Sequence, residues 1–295
     1  MTPSRLSIWF HAARPKTLGA AVAPVVMATA IAWRDGAFHW PSALCALAGA
    51  ILIQIGTNFA NDYFDFAKGA DTDERIGPAR ATQTGLVAPE TMRRAMLLTF
   101  AMVALPGAYV VYRGGWPFLA IGVASVACGV LYTAGPLPLG YLGLADLFVL
   151  VFFGPVAVCG TYYLQAQTLT APVAVASLAP GLLSVALLTV NNLRDIEQDR
   201  KAGKRTLAVR FGRTFARYEY AASIGLACVA VPAHLYLTTD RRLLPLVPII
   251  VLGMGAGGIR TVFTETEGPP LNRALGLTGR LLLVFSLLFS LGWIL

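Results

Sequence analysis

Charge is what this sequence has least of. Asp, Glu, Lys and Arg make up 13% of its 295 residues, and 56% of the chain is hydrophobic; an ordinary soluble domain carries about 25% charge. A soluble globular fold is excluded. Cysteine is scarce too. Cys45, Cys128, Cys159 and Cys228 lie far apart inside apolar runs, so neither the spacing of a zinc site nor a disulfide framework is present, and all four read as small buried hydrophobes. Long low-complexity tracts and an inserted soluble domain are also lacking, so a single domain over residues 1–295 is expected.

What fills the chain instead is a series of charge-free apolar runs. They cover residues 18–33, 43–59, 96–112, 118–132, 173–190, 243–259 and 281–295, joined by 144–164 with the single Asp146 and 221–237 with the single His234. These runs predict an all-α integral membrane protein with nine transmembrane helices around a central cavity. Several fall short of the roughly 20 residues that cross a bilayer, so flanking polar residues extend the helices or line a protein-enclosed cavity. The first run follows Arg14 and Lys16 and contains Ala28-Thr29-Ala30, features that imitate a signal peptide; the charge pattern needs it as a mature helix.

The net charge of +8 invites a nucleic-acid partner, but its placement argues for topology. With a cytoplasmic amino terminus and nine alternating spans, 19 of the 23 Lys and Arg fall inside, leaving Arg34, Arg113, Arg241 and Arg242 outside. That is the positive-inside pattern of a multi-pass protein of the inner (cytoplasmic) membrane. No nucleic-acid partner is expected.

Two polar stretches carry chemistry. At 58–75, following an apolar run, stand Asn58, Asn61, Asp62, Asp65, Lys68 and Asp71; 130 residues beyond Asn61 and Asp65 stand Asn191 and Asp195, with Asp199 four further on. On a helix, residues i and i+4 share a face, so each copy is an oxygen-rich claw. Carboxylate and amide oxygens suit a hard cation such as Mg²⁺, which one or two carboxylates hold together with substrate phosphates. The duplication predicts two claws facing each other across a metal-bound diphosphate, and two related four-helix halves with a ninth helix outside them. Solvated loop acids are the plain alternative, but carboxylates this close to a span are costly without partners.

Lys68, Arg75, Arg80 and Gln83 lie in the long polar connection 66–95, and Arg194, Arg200, Lys204 and Arg205 belong to a strongly basic one at 191–217. Such groups counter a polyanion, although each taken singly also serves topology. Lys68, Arg75, Arg80 and Gln83 are types that bind phosphate or carboxylate, and a guanidinium such as that of Arg80 suits a carboxylate by two parallel hydrogen bonds. The uncharged connection 133–143 is flanked by Tyr132 and Tyr141, rings that serve either as interface anchors or to steady a cation.

On these motifs, with Arg14-Pro15-Lys16-Thr17 and the stretch 153–163 in weaker agreement, the chain resembles the UbiA-type intramembrane aromatic prenyltransferases. Within that superfamily it is most similar to the 1,4-dihydroxy-2-naphthoate prenyltransferases of menaquinone synthesis. The resemblance implies Mg²⁺ held by Asn61, Asp65, Asp195 and Asp199, with polyprenyl diphosphate and 1,4-dihydroxy-2-naphthoate as substrates in a lipid bilayer. Lys68, Arg80, Lys204 and Arg205 assist as cationic donors, Asn58, Gln83, Tyr132, Asn191 and Arg194 belong to the binding site, and Asp62 and Asp71 are candidate bases. Many superfamily members place a basic residue soon after the tyrosine matching Tyr132; here Pro136 follows and no charge appears until Asp146. The rivals are a sister enzyme acting on another acceptor such as 4-hydroxybenzoate, and a transporter, whose polar groups belong near the bilayer midplane.

Overall fold

The computed structural model describes residues 4–69, 77, 80–136, 138–240, 243–244, 246–266 and 268–295. Its helices in chain order are α1 (Arg5–Ala12), α2 (Pro15–Arg34), α3 (Trp40–Ala67), α4 (Pro89–Gly114), α5 (Trp116–Leu131), α6 (Leu139–Leu142) and α7 (Ala145–Ala166). They continue with α8 (Ala171–Arg194), α9 (Ile196–Lys201), α10 (Leu207–Thr238), α11 (Leu246–Thr264) and α12 (Gly268–Ile294). The all-helical class is as the apolar runs predict. Among the described residues seven helices are long and apolar enough to cross a membrane: α2, α3, α4, α7, α8, α10 and α12. The nine-span expectation counts α11, of 19 residues, and α5, of 16, as well. At about 1.5 Å per residue α5 reaches only about 24 Å.

Proline marks where the rods begin. Pro15, Pro41, Pro89, Pro117 and Pro172 occupy the first turns of α2, α3, α4, α5 and α8, where the missing N–H has no helical partner to lose. Inside a helix proline acts differently. Pro155 lies in a π-helical turn of α7, Phe152–Val156, because its ring cannot donate to the preceding turn and pushes that turn's carbonyl aside.

Packing divides the molecule unevenly. Helices α2, α7, α8, α10, α11 and α12 share one core in which Met27, Ile31, Leu183, Ile224, Phe285 and Phe289 are fully buried. Where α7 crosses α8 the backbones meet: a β-carbon on Gly181 would stand 2.6 Å from the Leu150 carbonyl oxygen, and one on Gly154 2.8 Å from that of Ser177. Small residues permit such contact. A lesser core of Ala12, Phe59, Ala60, Ala81, Val87, Met92 and Met96 ties α1, α3 and α4 together.

The expected cavity is present but off-centre. A space of about 890 Å³ is walled by α2 to α7, from Ala21 to Leu164, with Phe152 and Phe153 of the π-helical turn among its lining. Its walls carry many small side chains, including Ala46, Gly49, Ala50, Gly107, Ala108 and Gly122, and α5 buries none of its residues. Large aromatic and aliphatic groups fill the other half, so the room lies in the first.

Candidate active site

The first claw forms because α3 runs 28 residues without a break, from its apolar stretch into the polar one. Asn61 and Asp65 therefore stand one turn apart on one face. Asp65 is buried and accepts a 2.6 Å bond from Nη2 of Arg80, itself 7% exposed. The expectation that Arg80 serves an acceptor carboxylate meets this pairing: its guanidinium is turned to the claw. Asp62, on the neighbouring face, takes the backbone N–H groups of Ala81 and Thr82, both at 3.1 Å. It fastens the turn that delivers Arg80. Each of its oxygens takes one of these N–H groups, so Asp62 braces the turn.

Asn58 is also a fastening. Its Nδ2 donates to the Ala13 carbonyl at 2.9 Å and to Thr17 Oγ1 at 3.2 Å, pinning the α1–α2 junction to α3. The Trp9 ring adds an edge contact to Phe59 with centroids 5.6 Å apart. Gln83 lies half-buried in the turn after Arg80. Asp71 and Arg75 fall outside the described residues.

The second claw is not one helix. Helix α8 ends at Arg194, Asp195 sits at φ −95°, ψ 10°, and Asp199 lies on the short α9. The i,i+4 rhythm nevertheless survives the break, since the Asp195 N–H donates to Asn191 O at 3.1 Å and the Asp199 N–H to Asp195 O at 2.8 Å. Arg194, 4% exposed, grips the Asp195 carboxylate with Nε at 2.7 Å and Nη2 at 2.5 Å, the two-pronged geometry a guanidinium favours. It also donates to Asn191 Oδ1 and, at 2.8 Å, to Asn272 Oδ1 on α12. Asn272 lies 78 residues from Arg194; no local signal could have revealed it.

The connection 132–143 lies between the claws. Thr133 Oγ1 donates to Asn61 Oδ1 at 3.1 Å, and Lys68 Nζ donates to the carbonyls of Thr133 at 2.6 Å and Gly135 at 3.1 Å. On the other side the Arg205 N–H reaches Tyr141 O at 3.0 Å, with the Arg205 side chain exposed, and Lys204 pairs with Asp199 at 3.2 Å. The electrostatics couple residues of the two stretches. Burial pushes the Asp199 carboxyl above its usual range, Lys204 draws it down, and Asp195 and Asp65 push it up again. Burial works to lower Lys204, but Asp199 and then Asp65 outweigh it and hold the ammonium above its ordinary range. Asp65 from one claw and Asp199 from the other thus both act on Lys204. Tyr132, Gln54 and Thr57 line the cavity, so the connection that touches Asn61 through Thr133 opens onto it at Tyr132.

The donors fit a hard divalent cation. All are oxygens, and the crowding of Asp65, Asp195 and Asp199 is repulsion that a cation would relieve. Among the described residues no three His, Cys, Asp or Glu side chains close round one point. An ion that keeps phosphate oxygens in its shell suits such an open pair.

The sequence profile of the UbiA prenyltransferase family matches residues 21–293. The 1,4-dihydroxy-2-naphthoate octaprenyltransferase of Escherichia coli (strain K12) is 43% identical over 239 residues, 77% of each chain. That of Haemophilus influenzae (strain ATCC 51907 / DSM 11121 / KW20 / Rd) is 35% identical over 99% of this chain and 97% of its own. In three dimensions a UbiA homolog from Archaeoglobus fulgidus bound to DMAPP and Mg²⁺ superposes with a TM-score of 0.66 over 98% of this chain and 99% of its own, at 15% identity. The fold, the apolar helices and the matched length agree, and this multi-pass membrane protein belongs to the UbiA prenyltransferase family.

Proposed function

We propose that the chain transfers the prenyl group of a polyprenyl diphosphate to 1,4-dihydroxy-2-naphthoate, with loss of CO₂ and diphosphate, leading after oxidation to demethylmenaquinone. The observation that carries this reading is the connection 132–143, which bonds Asn61 of the first claw through Thr133, meets through Tyr141 the Arg205 backbone beside Lys204 and Asp199 of the second, and opens at Tyr132 onto an apolar cavity of about 890 Å³. A diphosphate head and a hydrocarbon tail need those two environments side by side. The names of the curated relatives support the naphthoate as acceptor, and the Mg²⁺ bound with DMAPP in the Archaeoglobus protein supports the metal.

The allylic C–O bond breaks with its electron pair leaving on the diphosphate oxygen. Lys68 and Lys204 stabilise the charge gathering there, the more strongly where water is excluded. Asn61, Asp65, Asp195 and Asp199 would hold a Mg²⁺ ion, which when bound would supply further neutralisation of that leaving group. Arg80 and Arg194 keep the two carboxylates in place. The apolar walls shield the allylic cation from water, with the Tyr132 ring at their mouth. The naphthoate carbon bearing the carboxylate provides the electron pair of the new C–C bond; the bond to CO₂ then breaks, and its pair restores the aromatic ring. No ring proton has to be removed, which agrees with Asp62 being committed to backbone N–H groups.

The same reading makes residues 1–295 one domain of nine spans in the inner membrane, α5 and α11 completing the set, as two four-helix halves followed by α12. Both claws face the cytoplasm, where the positive-inside rule puts 19 of the 23 basic residues. The test is purified full chain with Mg²⁺, a radiolabelled prenyl diphosphate and a panel of aromatic acceptors. Labelled product with the naphthoate, and CO₂ released in equal amount, is expected. Product with 4-hydroxybenzoate alone would overturn the acceptor, and no product with any acceptor would overturn the enzyme.

A further inference from the structure

Lys68 and Lys204 come from opposite halves of the chain, yet both ammonium groups lie over one aromatic ring. Lys68 Nζ is 5.3 Å from the Tyr141 centroid and Lys204 Nζ is 5.5 Å from it. Lysine is a point charge on a flexible stem, and two like charges brought near each other separate unless something attracts both. The ring does so without cancelling either charge.

The position of that ring is imposed by the fold and not by the lysines. Gly140 N–H donates to Tyr132 O at 3.0 Å, closing the connection on itself, while Arg205 N–H donates to Tyr141 O and Arg210 Nη2 to Leu142 O at 2.8 Å. Gly143 completes the turn at φ +71°, where a side chain would be strained and its β-carbon would strike Arg205 O at 2.6 Å. The backbone carrying Tyr141 is therefore held from both sides.

The two cations differ in one respect. Lys204 has Asp199 as counter-ion at 3.2 Å. The contacts of Lys68 among the described residues are neutral: the carbonyls of Thr133 and Gly135 and the Tyr141 ring. Among the described residues its charge is oriented by neutral groups, the state in which an ammonium is most useful to an incoming anion.

We infer that Tyr141 is a positioning residue for the diphosphate: its ring holds Lys68 and Lys204 together between the two claws and so presents a paired cation to the leaving group. The inference rests on the prenyl diphosphate reading above. It also gives the uncharged connection 132–143 its function, because that segment borrows its positive charge from α3 and from the basic stretch after α9.

The probe is geranyl diphosphate with Mg²⁺, titrated calorimetrically into the full chain without acceptor, beside steady-state KM values for both substrates. Tyr141→Phe keeps the ring and should bind within about twofold of the parent. Tyr141→Leu removes two ring contacts and should bind about tenfold more weakly, with KM for the prenyl diphosphate raised in step and KM for the acceptor unchanged. Lys68→Gln combined with Tyr141→Leu should bind only about threefold below Lys68→Gln alone, since the ring's contact with Lys204 is then the one left to lose; a thermal unfolding scan confirms that each variant is folded. Equal binding by Tyr141→Leu and the parent, a loss as large for Tyr141→Phe as for Tyr141→Leu, or independent losses in the double variant would each overturn the inference. A parent chain that does not bind geranyl diphosphate at all would instead overturn the functional reading beneath it.

Discussion

Asp65→Asn removes one charge from the first claw and leaves its shape. The Asp65 side chain is 4% exposed and that of Arg80 8%, with 2.6 Å between Oδ2 and Nη2. An asparagine oxygen can still accept that bond, so the substitution isolates charge from geometry. Two effects of different size follow. Removing one partner of a buried ion pair costs about 3–5 kcal/mol when nothing replaces it, and the retained hydrogen bond brings the figure down to about 1–3 kcal/mol of stability. Turnover falls further. Loss of a group that meets developing charge in a water-excluded site costs about 100-fold or more, about 2.7 kcal/mol. The assay is turnover per folded protein against Mg²⁺ concentration, run beside Arg80→Gln. If Asp65 holds the metal, its variant needs more Mg²⁺ for half-maximal rate and loses at least about two decades of turnover, while Arg80→Gln keeps the parent's Mg²⁺ response. Equal losses in the two variants with an unchanged Mg²⁺ response would show that Asp65 only holds Arg80, and would refute the reasoning.

Two more outcomes follow from the donors and the packing. Since the claws offer oxygen donors without Cys or His, activity should vanish in excess chelator and return with Mg²⁺ or Mn²⁺; full turnover in chelator would remove the metal from the reaction. Gly181→Val places a β-carbon 2.6 Å from the Leu150 carbonyl oxygen, and backbone cannot turn aside as a side chain does, so the α7–α8 crossing must open at a cost of about 1–3 kcal/mol. Gly122→Ala, which meets nothing within 4 Å, is the control, and a calorimetric scan in which both variants melt alike would contradict the close crossing.

How far the sequence could be read depended on the range of each interaction. Apolar runs and i,i+4 spacings are local, so the spans of α2, α3 and α8 and the Asn61–Asp65 claw were legible. The break at Asp195 was not, because Asn191, Asp195 and Asp199 keep the spacing of a continuous helix. The bracing contacts of Asp62 were hidden for a similar reason: the backbone N–H groups that meet it leave no trace in the identities of Ala81 and Thr82. Small residues were plain in both halves, but they mean opposite things. At Gly154 and Gly181 they let two helices touch, whereas at Gly49 and Gly107 they leave a wall thin beside the cavity. Only the approach of the neighbouring helix decides between these, and that is a long-range property.

The two claws are duplicated in residue type but not in support. The first is braced from the segment that follows it, in sequence order: Asp62 holds the turn at Ala81 and Thr82, the turn presents Arg80, and Arg80 holds Asp65. The second is braced from the far end of the chain, where Asn272 of α12 holds Arg194 and Arg194 holds Asp195. In each claw a buried guanidinium fixes the carboxylate, and a further group fixes the guanidinium. The guanidiniums do not follow the 130-residue offset of the carboxylates: Arg80 comes 15 residues after Asp65, whereas Arg194 directly precedes Asp195. Asn272 comes from the last helix, far in sequence from either stretch. Helix α12 is therefore more than a final span packed along α2, α8 and α11: it does for the second claw what the turn after α3 does for the first.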